Sequence, residues 1–164
     1  MRRKNLKIIF GDLNLKFRII PILLYRSSSI VKTVNYTNHR RVGDVPSTLK
    51  VFSRRQADEL ILIDLDASNV GKINKNLISS AVQNSNMPLT MGGRLNSLPS
   101  CTDLIRQGCD KLVFNTLYYE NKSTLTDVIN ELGSQAVVLS LDFTISDEDV
   151  VLRSHNGSKV QSKN

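Results

Sequence analysis

The sequence predicts one α/β domain built on a parallel sheet, either an open sheet or part of a β/α barrel. Three observations predict it. Short apolar runs recur at Leu60–Ile63, Pro88–Met91, Leu112–Phe114 and Val137–Leu141, and a parallel strand covered on both faces reads as such a run. Segments with helical periodicity separate the runs, which is the pattern of crossover helices. Each run then stops on residues suited to a site: Asp64-Leu65-Asp66, Gly92-Gly93, Asn115-Thr116 and Asp142. A β/α barrel places its active site at the carboxyl ends of its strands, so these endings predict a small-molecule site for a phosphorylated ligand.

The elements follow in order. Residues 1–15 read as an N-terminal extension with weak periodicity. Arg18–Tyr25 is a first strand, Ser27–Ser29 a turn and Ile30–Tyr36 a second extended segment. Gly43-Asp44 opens a helix, with Asp44 as N-cap and Pro46 in the first turn. Asp58–Asp66 is a strand, and Ile73–Asn86 is a helix through Ile73, Leu77, Ile78, Ala81 and Val82. Met87–Gly93 is a strand with a glycine turn. Ser97–Arg106 is a helix ended by Gly108, Lys111–Thr116 a strand, and Ser123–Leu132 a helix ended by Gly133. Ala136–Asp142 is the last strong strand. Val150–Arg153 and the turn at Asn156-Gly157 read as a hairpin before a polar tail at 159–164.

Composition narrows the function classes. A hydrophobic content of 40% is that of a globular chain. No apolar run has membrane length, and Ile8-Ile9-Phe10 is too short for a secretory core, so a cytoplasmic protein is expected. Cys101 and Cys109 are too few for a disulfide framework and form no zinc signature; two reduced thiols and no metal are expected. The formal net charge is +7. The basic residues are dispersed and no aromatics interleave them, which disfavours nucleic acid and leaves anionic metabolites or an acidic protein partner.

The ordered stretches RIIPILL…IVKTVNY, VGD, DELILIDLDAS, MPLTMGG, CDKLVFNT and GSQAVVLSLD together resemble the cyclase subunit of imidazole glycerol phosphate synthase, the HisF family. The resemblance runs from Arg18 to the region of Lys159. It implies a partial (βα)8 TIM barrel of about five strands, of the ribulose-phosphate-binding type, over residues 16–158. It implies a HisH-like glutaminase partner whose ammonia passes through the barrel, a phosphorylated substrate, and no cofactor. Arg18–Leu24 is similar to the start of a HisF-like branch encoded with surface-polysaccharide genes, which is thought to supply ammonia for sugar amidation.

The resemblance also implies roles for single residues. The family closes its ring between two facing aspartates, one taking and one giving a proton. Asp142 matches the fifth-strand aspartate, unless it only caps the next element. The first-strand position is Leu24, which transfers no proton, and loss of such a group typically costs about 10²–10⁴-fold in rate. Asp64 matches a rim aspartate, and Asp66 is either a second rim carboxylate or a helix cap. Gly92 and Gly93 would admit a phosphate to backbone N–H groups. The third family glycine is Arg94 here, either a charged contact or an obstruction. Asn115 and Thr116 match a phosphate-binding pair, and Lys32 matches a lysine of the mobile first loop. At the opposite end, Arg18, Glu59 and Lys111 match three members of a charged ring where ammonia enters, with Asp110 beside them at the partner face. The same charges serve equally as plain salt bridges.

The family's last three strands have no counterpart here, so a chain truncated after the fifth strand is expected, with open edges that invite self-association. The expected function is a HisF-like synthase or lyase subunit using glutaminase-derived ammonia, in histidine biosynthesis or in sugar amidation. The alternatives are a non-catalytic phosphate-binding or assembly module and an inactive relic.

Overall fold

The computed structural model describes residues 17–34, 37–67, 73–146, 149–155 and 157–161. The expected extension at 1–15, Tyr36, Asn156 of the turn and the last three residues of the tail lie outside the described residues. In chain order the elements are β1 (Ile22–Arg26), β2 (Ser29–Val34), β3 (Thr37–Gly43), α1 (Val45–Arg54), β4 (Leu60–Asp64), α2 (Lys75–Asn84), β5 (Leu89–Gly92), α3 (Leu98–Arg106), β6 (Lys111–Phe114), α4 (Thr116–Glu120), α5 (Lys122–Leu132), β7 (Val137–Leu139), β8 (Asp142–Ser146), β9 (Asp149–Ser154) and β10 (Lys159–Val160). The main sheet runs β3-β2-β1-β4-β5-β6-β7, and a second sheet runs β10-β9-β8.

β1, β4, β5, β6 and β7 pair in parallel, so the expected five parallel strands are present. Their pleat divides the residues between two faces. Leu23 and Tyr25, Leu60 and Leu62, Leu89 and Met91, and Leu112 and Phe114 join one hydrophobic core with Leu49 of α1, Leu77 and Ile78 of α2, Cys101 and Leu104 of α3, and Leu125 and Val128 of α5. The alternate residues Ile22, Leu24, Ile61, Ile63 and Val138 lie outside that core, and Ile22 is 62% exposed. The helices therefore cover one face only, the outer face of a partial TIM-like barrel. Its inner face carries the other set.

The helices start and stop for local reasons. Asp44 caps α1, its carboxylate accepting from the Ser47 N–H at 2.9 Å, with proline in the first turn. Asn74 caps α2 through the Asn76 N–H, so that helix begins at Lys75 rather than Ile73. Gly133, at φ +84°, closes α5 as expected.

Four features differ from the sequence prediction. The first strand begins at Ile22 rather than Arg18, since Pro21 has no N–H to donate; its carbonyl still accepts from Ile61. A whole strand, β3, occupies Thr37–Gly43, where the polar sequence gives no apolar signal. β7 ends at Leu139, and Asp142 opens β8 opposite Arg153. The expected terminal hairpin is a three-stranded sheet.

Cys101 and Cys109 are both buried and free. Burial pushes Cys101 up to about 11, and burial with the Asp110 charge pushes Cys109 to about 12. Both values are raised, so the stability from burying neutral thiols is fully present below the ordinary value of 9.0 and is lost as pH rises through 11 to 12. A thiolate-directed alkylating reagent at about pH 8 is expected to label neither cysteine in the folded chain and both after unfolding in urea. Labelling of the folded chain at the free-thiol rate contradicts this burial.

Candidate functional site

The predicted residues gather at two ends of the inner face. At the amino-terminal end, Glu59 is buried and accepts from two cations. Arg18 reaches Glu59 Oε1, and Lys111 Nζ lies 2.7 Å from Oε2. The strands bring them together: Glu59 immediately precedes β4 and Lys111 opens β6. The aspartate before each has a backbone duty. Asp58 accepts from Ile19 N–H at 2.7 Å and donates its own N–H to Ile19 O at 2.9 Å. Asp110 repeats this on Leu89, at 2.7 and 2.8 Å. Asp110 thus fastens β6 to β5 beside the charged cluster.

At the carboxyl end the residues divide. Asp64 is 2% exposed. Its Oδ1 accepts from the N–H groups of Asp66 and Ala67 and its Oδ2 from Asn74, at 3.0, 3.3 and 3.1 Å. Burial raises its carboxyl above the usual value, while these three donors pull it down. The carboxylate is consumed in shaping the connection from β4 to α2, a role legible in the short-range pattern by which Asp side chains accept from backbone two or three residues on. Asp66 serves the neighbouring turn. It accepts from Ser27 N–H at 2.6 Å and faces Arg26 at 3.8 Å, so it holds the β1–β2 turn, where Ser27 and Ser28 both have positive φ.

Gly92 and Gly93 are required by packing. A Cβ on Gly92 would stand 2.4 Å from Val113 Cγ1 and 2.8 Å from Ile63 Cδ1. Gly93 has φ +131°, and its Cβ would meet Asp64 O at 2.4 Å. Arg94 follows, exposed and at φ +37°. Lys32 stands exposed on β2 opposite Arg40, and β1, β4 and β5 separate it from β6.

Asn115, Thr116 and Asp142 come together around the ends of β6 and β7. Ser140 N–H donates to Phe114 O at 2.8 Å, and Asn115 Nδ2 donates to Ser140 O at 2.9 Å. Thr116 Oγ1 accepts from His155 N–H at 3.4 Å. His155 also pairs with Glu120 at 2.8 Å and with Ser154 Oγ at 2.8 Å, which fastens the second sheet to α4. His155, Glu120 and Tyr119 carried no sequence signal, since no motif connects them. Leu24 lies in a row across the inner face, its neighbours in register being Ile63, Gly92, Val113 and Val138. No group of three His, Cys, Asp or Glu among the described residues could hold a metal, and no helix among them is long and apolar enough to cross a membrane.

A family model described as "Histidine biosynthesis protein" matches residues 18–162. A provisionally named imidazole glycerol phosphate synthase subunit of Campylobacter jejuni is 35% identical over 128 residues, covering 78% of this chain and 52% of its own. A provisionally named HisF subunit of Leptospira interrogans is 34% identical over 148 residues, covering 88% and 58%. The HisF subunit of an Exiguobacterium strain is 30% identical over 146 residues, covering 88% and 57%. The chain spans about half the length of these curated relatives.

Asp64→Asn replaces one acceptor oxygen with an NH2 group facing backbone donors. It is expected to cost about 1–3 kcal/mol in urea unfolding, the penalty of an unmatched buried polar group. An unchanged midpoint assigns the connection's stability to other contacts.

Proposed function

The chain belongs to the histidine biosynthesis protein family, with the HisF-type subunits of imidazole glycerol phosphate synthase among its relatives, and we propose that it passes glutaminase-derived ammonia to a phosphorylated acceptor. The observation that carries this reading is the Arg18–Glu59–Lys111 cluster at the amino-terminal end of the inner face. A guanidinium and an ammonium there oppose entry of an ammonium ion but not of neutral ammonia. Glu59, held between them, offers an acceptor to a molecule with N–H groups. Beyond it the inner face turns apolar, at Ile61 and then Ile63, Leu24, Val113 and Val138, a surface that favours a neutral species over an ion. The partner fitted to that end is a HisH-like glutaminase.

At the other end Asp142 supplies one carboxylate, and Leu24 stands where a second is needed for acid–base ring closure. Amidation of a sugar acceptor asks less of paired proton transfer than cyclisation does, so Leu24 favours amidation over the cyclase reaction of histidine biosynthesis. Thr116, the Gly93 backbone and Lys32 are the groups we assign to the acceptor's phosphate. A second reading, a phosphate-binding or assembly module without turnover, draws support from Leu24, which leaves the acid–base pair without one carboxylate.

Mixing the full chain with a HisH-like glutaminase is expected to give a complex that hydrolyses glutamine faster than the glutaminase alone. Glu59→Gln is expected to leave the complex intact and to reduce glutamine-dependent transfer by about tenfold or more, with transfer from added ammonium salts much less affected. The absence of both binding and stimulation overturns the ammonia role. Phosphate binding without ammonia-dependent turnover selects the second reading.

A further inference from the structure

β3 is the outermost strand of the main sheet, so one edge of its backbone has no strand partner among the described residues. Such an edge is a template for another extended chain, and cations along it keep like-charged edges apart. From Arg26 to Arg55 the chain carries seven lysines and arginines against one acid, Asp44. That carboxylate is occupied in capping α1. Arg40 stands opposite Lys32 in the β2–β3 register, and like charges so placed repel. Lys32, Arg40, Arg41, Lys50 and Arg54 are all exposed. No ion pair among the described residues includes any of them. Beside this edge lies an apolar groove of about 520 Å³, lined in part by Ile22, Val31, Val42, Val51 and Phe52. Val42 comes from β3 itself. Arg41 pairs with Val31 and Gly43 with Ile30, so Val42 is the extra residue of a bulge. It is 58% exposed, and Val51 across the groove is 44% exposed. An open edge, unneutralised charge and an apolar groove thus meet in one place.

We propose that the β3 edge docks an extended acidic segment of a partner protein, which adds to the sheet as a strand, sets carboxylates against Arg40 and Arg41, and lays an apolar side chain in the groove. Backbone pairing gives such a contact its affinity, and a pocket for alternate side chains gives it selectivity. A second copy of this chain is a poor occupant, since edge against edge brings arginine to arginine. RNA meets the same charge, but the groove offers aliphatic side chains and one half-buried aromatic, Phe52, little for bases to stack on. A carboxylate at Arg40 relieves its opposition to Lys32 and leaves Lys32 to the acceptor's phosphate. β2 and β1 stand between this edge and β4, so the surface differs from the Arg18–Glu59–Lys111 end given to the glutaminase. The inference does not depend on the ammonia role.

The test titrates the full chain with a blocked peptide, Glu-Leu-Glu-Val-Glu-Leu-Glu, following amide shifts by NMR. The probes beside it are the same peptide with lysine for glutamate, the glutamate peptide N-methylated at alternate amides, and a uridine dodecamer. The glutamate peptide is expected to bind saturably, with shifts centred on Thr37–Gly43 and Val51, and the lysine peptide not at all. Arg40→Glu with Arg41→Glu is expected to weaken the glutamate peptide about tenfold or more and to leave the melting temperature level, since both side chains are exposed. If charge reversal unfolds the chain, Arg40→Gln with Arg41→Gln makes the same comparison. The N-methylated peptide keeps every charge but cannot pair along an edge, and it is expected to bind about tenfold more weakly or worse. Equal binding of that peptide overturns the proposal, because charge alone then explains the contact. No saturable binding, shifts centred elsewhere, or binding indifferent to both arginines also overturns it. A uridine dodecamer that binds as tightly as the glutamate peptide and displaces it assigns the surface to nucleic acid and overturns the proposal as well.

Discussion

Everything in this fold depends on the two-residue period of its parallel strands. Because successive side chains alternate across the sheet, burying Leu60 and Leu62 under the helices obliges Glu59, Ile61 and Ile63 to take the other face. The same alternation in β6 puts Leu112 and Phe114 in the core and Lys111, Val113 and Asn115 opposite. A slip of one residue would exchange the two sets. The core is therefore what selects the functional face. Leu60, Leu62 and Leu112 are fully buried, and truncations at such positions typically cost about 2–5 kcal/mol.

The register is held at the amino-terminal end by a device used twice. Asp58-Glu59-Leu60 and Asp110-Lys111-Leu112 share one arrangement. The aspartate exchanges hydrogen bonds with the neighbouring backbone, at Ile19 ahead of β1 and at Leu89 of β5, and the leucine enters the core. The charged residue between them faces inward, and the two inward residues are the Glu59–Lys111 pair. The clamp and the ion pair thus share a backbone, so any role of the pair is built on the fold's own fastening. This explains why the cluster's charges alone do not distinguish a passage from a salt bridge.

Legibility in the sequence followed the sources of signal. The parallel strands and four helices were legible because burial imposes apolar periodicity on them. β3 was not, since TNHRRVG is largely exposed and pairs with β2 by backbone hydrogen bonds, with shifts of register. The site's residues were legible by chemical type but not by duty. Asp64 shows the reason. A strand-end carboxylate reads the same whether it faces a ligand or, as here, three backbone N–H groups. Tyr119 and His155 escaped because they join the site only through the positions of α4 and the second sheet.

The inner face is ordered along its length in a way that no single residue reveals. Charge stands at the amino-terminal end, in Arg18, Glu59 and Lys111. A row in register follows, Leu24, Ile63, Gly92, Val113 and Val138. Hydrogen-bonding groups return at Asn115, Ser140 and Asp142. The side chains of Ile63 and Val113 close over Gly92, so the middle row has no room for a larger residue there. A carboxylate at position 24 would project into this row and require its own solvation or a partner; leucine requires neither. Its presence keeps the apolar middle continuous across the sheet, between two polar ends. On physical grounds, then, leucine at position 24 completes the apolar row without a charge that the row could not solvate.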